Sequence, residues 1–314
     1  MPGVSIFLDV DDLKSIDALE EYVDATALIM IFVSKGYFGS KNCLREAVCT
    51  VNKRKRITLV HDSAVYLKSY TPLQEIKDEL GSERAATELV KAQNGVDEGK
   101  LLSTAQLRAA IFQEDQPSPR EVIPWHRIKD FQLVSLKLLA EQLLLSCPNE
   151  TRKQIGLYVP GELPREKMGL KPGLLVYASP NNPGANEVAE DLRAAMANSF
   201  EVTSDPEVGL STATHFMLYL SDQTYLGEAG ERLADELRDA MGLSRKAPGV
   251  KVVMVHENDA ARGGCDFGIF FDGRTPEDLK QGGLYNDLAL ALYPGPFWPV
   301  SVALVAKVLG AVDA

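Results

Sequence analysis

The sequence predicts an α/β protein built from two copies of one domain, each a parallel sheet layered between helices. Two observations carry this. Short apolar runs that read as strands alternate with segments whose apolar residues recur at helical spacing. The second half then repeats the order of the first: ALIMIFVSKGYF (Ala27–Phe38) aligns with THFMLYLSDQTYL (Thr214–Leu226), and RITLVHDSA (Arg56–Ala64) with KVVMVHENDA (Lys251–Ala260). The copies are unequal. The second has a strand and helix, Leu174–Met196, before its Phe200–Thr203 segment, and the first has no counterpart to that pair.

Taken in order, Val4–Leu8 reads as a strand, Asp9–Asp12 and Lys14–Asp17 as a polar loop, and Ala18–Ala25 as a helix with Leu19, Tyr22 and Val23 inward. The unbroken apolar run Ala27–Val33 predicts a strand buried on both faces. It ends at Ser34, passes the aromatic pair Tyr37–Phe38 and a polar turn, Gly39–Asn42, and opens a helix carrying Cys43 and Glu46. Leu44, Ala47, Val48 and Val51 form that helix's apolar stripe, with Glu46 off it, and Lys53–Arg56 close the helix in keeping with its dipole. Ile57–Val60 is the next strand, ending at His61–Asp62. Leu73–Leu80, Ala85–Lys91 and Thr104–Ile111 are helical in pattern, Val122–Ile123 is a short last strand, and Phe131–Leu145 is a closing helix.

Residues 147–172, rich in Pro, Gly and charge, read as a linker between domains at 1–146 and 173–314. The second domain predicts strands at Leu174–Ala178, Phe200–Thr203, His215–Leu220 and Val250–Val255, with a short one at Phe267–Phe271. Its helices are Asn186–Met196, with Val188, Ala189, Leu192 and Ala195 inward, then Glu231–Met241 and Val300–Leu309.

Composition narrows the classes of function. A length of 314 residues with 45% hydrophobic content is enough for two cored domains. A net charge of -11 argues against a broad nucleic-acid footprint or an anionic membrane partner. The cysteines Cys43, Cys49, Cys147 and Cys265 have neither disulfide-framework nor zinc spacing, so reduced thiols in a cytoplasmic protein are expected, with no metal site. Apolar runs are too short for a membrane span, and no signal region follows Met1.

The first domain resembles the Toll/interleukin-1 receptor (TIR) family. The residues that carry the resemblance are VSIFLDVDDL, a helix, and a strand running into SKGYFGSKNCLRE: Phe7, Asp9, Asp11, Asp12, Leu13, Ser34, Tyr37, Phe38, Ser40, Cys43, Leu44 and Glu46. Many members carry Trp before the Cys, where this chain has Asn42. The likeness fades through Ser63–Arg120, and over Leu174–Ala314 it keeps the order of elements. It implies flavodoxin-like, three-layer domains, with the family's first strand and helix missing from the first copy. Either that copy begins late or another segment fills the gap.

The resemblance implies one of two activities. As a scaffold, the chain associates with other TIR domains or with itself, and needs no cofactor. As an NAD+ glycohydrolase, it cleaves the nicotinamide–ribose bond through an oxocarbenium-like centre, which needs a carboxylate against the ribose. Glu46 matches the family's catalytic Glu, and its place near a helix start favours the ionised form. Ser34, Tyr37, Phe38, Asp9 and Asp11 would line the NAD+ cleft, with Val10–Asp17 as a lid. A third reading is a flavodoxin-like nucleotide binder without catalysis. Beside these stand plainer roles: Cys43 as a small core residue, His61 and His256 as hydrogen-bonded loop histidines, Asn181–Gly184 (NNPG) as only a turn. In the second copy, Asp235 or Glu236 falls opposite Glu46, depending on register.

Overall fold

A computed structural model describes residues 19–64, 70–146, 168–243 and 250–313. The strand expected at Val4–Leu8 and the loop after it lie outside the described residues. The chain divides into two compact units, Met1–Gly161 and Glu162–Ala314, a boundary inside the expected linker. Both are flavodoxin-like α/β layers around a parallel sheet.

In the first unit, helix α1 (Leu19–Ala25) leads to strand β1 (Leu28–Val33), helix α2 (Lys41–Asn52) and strand β2 (Arg56–Asp62). Helices α3 (Leu73–Asp78), α4 (Glu83–Ala92) and α5 (Thr104–Phe112) precede strand β3 (Val122–Trp125) and helix α6 (Lys129–Ser146). Local chemistry sets these boundaries. The Ser82 hydroxyl caps α4, and Ser103 with Gln106 forms a capping box at α5. The strands run parallel in the order β1-β2-β3, and Pro124 sits in β3, an outer strand where a missing N–H costs no ladder bond. On one face, Ile29, Ile31, Val33, Ile57 and Leu59 meet Leu44, Ala47 and Val48 of α2. On the other, α6 covers β2 and β3. The expected burial of β1 on both faces does not hold: Met30 is 52% and Phe32 41% exposed. Both point to the face on which α6 packs against the neighbouring strands.

In the second unit, strand β4 (Met168–Gly169) pairs antiparallel with strand β10 (Val312–Asp313), so the last residues assigned to the linker belong to this unit. Between them come β5 (Leu175–Tyr177), α7 (Ala185–Ala195), β6 (Glu201–Thr203), α8 (Pro206–Thr212), β7 (His215–Leu220) and α9 (Gly227–Ala240). Then follow β8 (Lys251–Glu257), α10 (Glu277–Gln281), β9 (Leu290–Leu292) and α11 (Trp298–Val308). The strand order β6-β5-β7-β8-β9 is the doubly wound flavodoxin order, all parallel. Val188, Ala189 and Leu192 of α7 and Val302 and Val305 of α11 cover Met217, Tyr219, Val253 and Val255. Leu233, Ala234 and Leu237 of α9 cover Phe216, Leu218, Leu220 and Met254 on the opposite face. The strand expected at Phe267–Phe271 is not formed; Phe270–Arg274 is a wide helical turn kinked at Asp272 and Gly273, and the last strand is β9.

The two units share more than element order. Leu28 to Val33 of β1 pair with Arg56 to His61, and His215 to Leu220 of β7 pair with Lys251 to His256, in one register. Val60, His61 and Asp62 face Ile123, Pro124 and Trp125 as Val255, His256 and Glu257 face Leu290, Ala291 and Leu292. Beyond the last strand, the His126 N–H donates to the Ser135 hydroxyl at 3.2 Å, and the Tyr293 N–H to the Ser301 hydroxyl at 3.0 Å. The ring before each serine helix packs on a phenylalanine, His126 on Phe131 and Tyr293 on Phe297.

Two outcomes follow. The Asn182 carboxamide donates to Tyr219 O and accepts from Tyr219 N–H, both at 2.8 Å, extending the β5–β7 ladder past Tyr177. Asn182→Ala leaves buried backbone groups short of a partner and lowers unfolding free energy by about 2 kcal/mol in urea titrations. Burial of His126 lowers its pKa from the usual 6.5 to about 4, against the smaller pull of Asp62. The unfolded chain therefore binds the proton first, and this histidine's share of the stability, present at pH 7, is lost as pH falls from 6.5 through 4. The loss amounts to roughly 3 kcal/mol. His126→Phe flattens that part of the urea stability–pH profile.

Candidate functional site

The carboxyl ends of parallel strands are where ligands meet such sheets, and in the first unit three side-chain groups gather there. A cleft of about 190 Å³ opens at the ends of β1 and β2, lined among others by Ser34, Lys35, His61, Asp62, Tyr70 and Arg127. Ser34 follows β1 directly and is exposed. The turn after it needs Gly36, at φ 83°, and the Gly36 N–H donates to Glu79 Oε1 at 2.7 Å, so α3's continuation pins the strand end.

His61 Nε2 lies 2.9 Å from Thr71 O. A carbonyl only accepts, so this nitrogen carries the proton. The imidazole also packs against Tyr70, ring centroids 5.8 Å apart. His256 makes the matching bond to Cys265 O at 2.9 Å and packs on Phe267 at 5.2 Å. Both histidines thus anchor the loop after their strand.

Asp62 Oδ2 accepts from Arg127 Nε at 2.9 Å and Nη2 at 2.6 Å, and Oδ1 accepts from the Ala64 N–H at 3.0 Å. Burial pushes the carboxyl pKa up; the hydrogen bonds from Arg127 and Ala64, with the charge of Arg127, outweigh it and leave the group below the usual carboxylate range.

Of the residues expected around a catalytic carboxylate, Ser34 lines this cleft, while Tyr37, Phe38 and Glu46 are not among its lining residues. Tyr37 and Glu46 do meet: the phenol donates to Glu46 Oε2 at 3.4 Å, across the turn Tyr37–Gly39 that leads into α2. Glu46 is half-buried, in the second turn of a helix that starts at Lys41, beyond the first-turn reach of the helix dipole. Phe38 is fully buried, edge-on to Phe112 at 5.9 Å, so it belongs to the core and not to a cleft wall. Its aromatic spacing after the strand signals packing and ligand stacking equally, which is why sequence alone misplaces it. Asp9 and Asp11 lie outside the described residues. Cys43 is half-buried, not a core residue; Cys49 is the buried thiol of α2. Glu79 and Arg127 went unnoticed in the sequence, since each comes from a different stretch from the strand end it contacts.

In the second unit Glu236 points inward, accepting from Asn181 Nδ2 at 2.7 Å and Tyr177 Oη at 3.1 Å, while Asp235 is exposed and paired with Arg238. Burial, then Glu236, push the Tyr177 phenol up. Asn181 and Asn182 of NNPG are therefore structural donors. At the end of β8, Glu257 is buried, and its carboxylate accepts from Tyr219 Oη at 2.9 Å and from the Asn258 and Asp259 N–H groups.

Among the described residues, no group of three or more His, Cys, Asp or Glu side chains converges as a metal set, and no helix is long and apolar enough to cross a membrane. No family model, curated protein or solved structure matches the chain.

Arg127→Ala removes the guanidinium that holds Asp62 ionised. A carboxyl-carbon NMR titration should show the Asp62 pKa rising from its lowered native value, with His61 and Thr71 resonances otherwise in place.

Proposed function

We propose that the chain is a cytoplasmic signalling protein of two TIR-like units, acting by homotypic association with other TIR domains or with itself, without nucleic-acid or membrane partners. The observation that carries this reading is the duplication. Two units repeat one strand register and one set of sheet-end bonds, while the groups expected to perform chemistry differ in place between and within them. In the first unit Ser34 lies in the strand-end cleft, Phe38 in the core, and Glu46 against Tyr37. An active site needs its groups within hydrogen-bond reach of one reacting atom.

The second reading, an NAD+ glycohydrolase with Glu46 as the carboxylate, is favoured by one observation: the Tyr37 hydroxyl holds Glu46 at a fixed place beside the strand-end turn. Against it, neither Glu46 nor Tyr37 lines the strand-end cleft of about 190 Å³.

Nicotinamide release from NAD+ at high protein concentration, measured beside light scattering, separates the two. Under the association reading the scattering mass rises with concentration, Asp11→Lys lowers it, and nicotinamide release stays at the buffer rate for wild type and Glu46→Ala alike. Release by wild type that Glu46→Ala cuts a hundredfold or more would establish the enzyme instead.

A further inference from the structure

The cleft at the ends of β1 and β2 carries three hydrogen-bond donors that the fold does not use. Among the described residues, the Ser34 hydroxyl, the Lys35 ammonium and the Tyr70 hydroxyl have no hydrogen-bond or ion-pair partner, and all three residues line the cleft. Burial, then the charges of Asp62 and Glu75, push the Tyr70 phenol up, so it keeps its proton and stays a donor. The lining carboxylate is already engaged, since Asp62 accepts two bonds from Arg127 and one from the Ala64 N–H. Glu79 holds the Gly36 N–H and is not among the lining residues. The lining thus sets two cations, Lys35 and Arg127, against one carboxylate, in a chain whose net charge is -11. Another part of the wall is apolar, formed by Ile76 and the half-exposed ring of Phe32.

In the second unit the same places hold no spare donors. The shared registers put Ser221 in the place of Ser34 and Asp222 in that of Lys35, and the ring that packs on His256 as Tyr70 packs on His61 is Phe267. Ser221 is buried, its hydroxyl 3.5 Å from that of Thr224. Asp222 reverses the charge, and Phe267 has no hydroxyl. Tyr219, in the place of Phe32, donates its hydroxyl to Glu257 at 2.9 Å. The scaffold that both units share therefore forms without these three donors.

We infer that the strand-end cleft of the first unit binds a small organic anion, a carboxylate or a phosphate monoester, with its charged group among Ser34, Lys35 and Tyr70 and its apolar part against Phe32. An oxyanion presents acceptors only, which is what a set of donors that includes a cation can satisfy. A neutral ligand of the same shape leaves the Lys35 charge unanswered, and a cationic one meets Lys35 and Arg127 as like charges. The place also fits, at the carboxyl ends of parallel strands. This inference goes beyond the association reading and does not rest on it or on Glu46.

Phenyl phosphate and benzoate are the probes, with benzyl alcohol as the neutral control, each followed by amide NMR titration of the isotope-labelled full-length protein. At least one anion should bind saturably, with a Kd of about 1 mM as its size allows. The Ser34, Lys35 and His61 amides should shift and those of Ser221 and Asp222 should not. Whichever anion binds tighter identifies the charged group. Lys35→Met, at an exposed position, should weaken binding at least tenfold, and Tyr70→Phe should weaken it less. Lys171→Met, the same charge change at an exposed lysine of the second unit, should leave the Kd unchanged. Absence of saturable shifts at the cleft with both anions overturns the inference. So does a Kd that Lys35→Met leaves unchanged, or that Lys171→Met raises equally, because the attraction is then not local. Benzyl alcohol binding as tightly as either anion overturns the anionic class. None of these outcomes depends on scattering mass or nicotinamide release, so failure here and failure of the association reading are told apart.

Discussion

Leu28–Val33 and His215–Leu220 present the same physical demand. A parallel strand apolar on both faces is stable in water only when both faces and both edges are covered. In the second unit the demand is met four ways: β5 and β8 on the edges, α9 on one face, α7 with α11 on the other. In the first unit, among the described residues, β2 takes one edge and α2 one face, and on the other face α6 crosses β2 and β3. The second satisfies its own core; in the first, Met30 and Phe32 stay exposed on one face of β1.

The strand ends answer a second demand, that backbone groups leaving a sheet find partners. Both units solve it with the same parts. A histidine at the end of β2 and of β8 holds the following loop by a carbonyl, and a buried serine on the last helix accepts the N–H after the final strand. Carboxylates then diverge. Asp62 takes a guanidinium from beyond β3, Glu257 takes a tyrosine and two backbone N–H groups, and Glu236 takes Tyr177 and Asn181. These carboxylates are thus bound into the fold.

Much of this was legible in the sequence wherever periodicity was strong. The stripe Leu44–Ala47–Val48 and the run HFMLYL specify α2 and β7, since burial of one helix face or of a whole strand leaves an unmistakable pattern. The repeat was readable for the same reason. The failures have physical causes. LIMIFV reads as doubly buried, yet what covers a strand is supplied by distant residues, and no local pattern records that Met30 and Phe32 lack a cover. α8 was missed although Asp205 and Pro206 mark its start, because seven residues hold too little periodicity to stand out. β9 is three residues long, and the aromatic run Phe267–Phe271 offered a stronger strand pattern nearby. At the site, Ser34 lies in the strand-end cleft, Phe38 lies in the core, and Glu79 and Arg127 reach the strand ends from segments with no marker of that role.

That β1 pairs with β2 alone among the described residues is the central claim, and amide hydrogen exchange of the full-length chain tests it most directly. Every second amide of Leu28–Val33 points away from β2, and these should exchange at least a hundredfold faster than the corresponding amides of His215–Leu220, which are held between β5 and β8. Equal protection of the two strands would mean that β1 already has a neighbour on its outer edge, and would contradict the account.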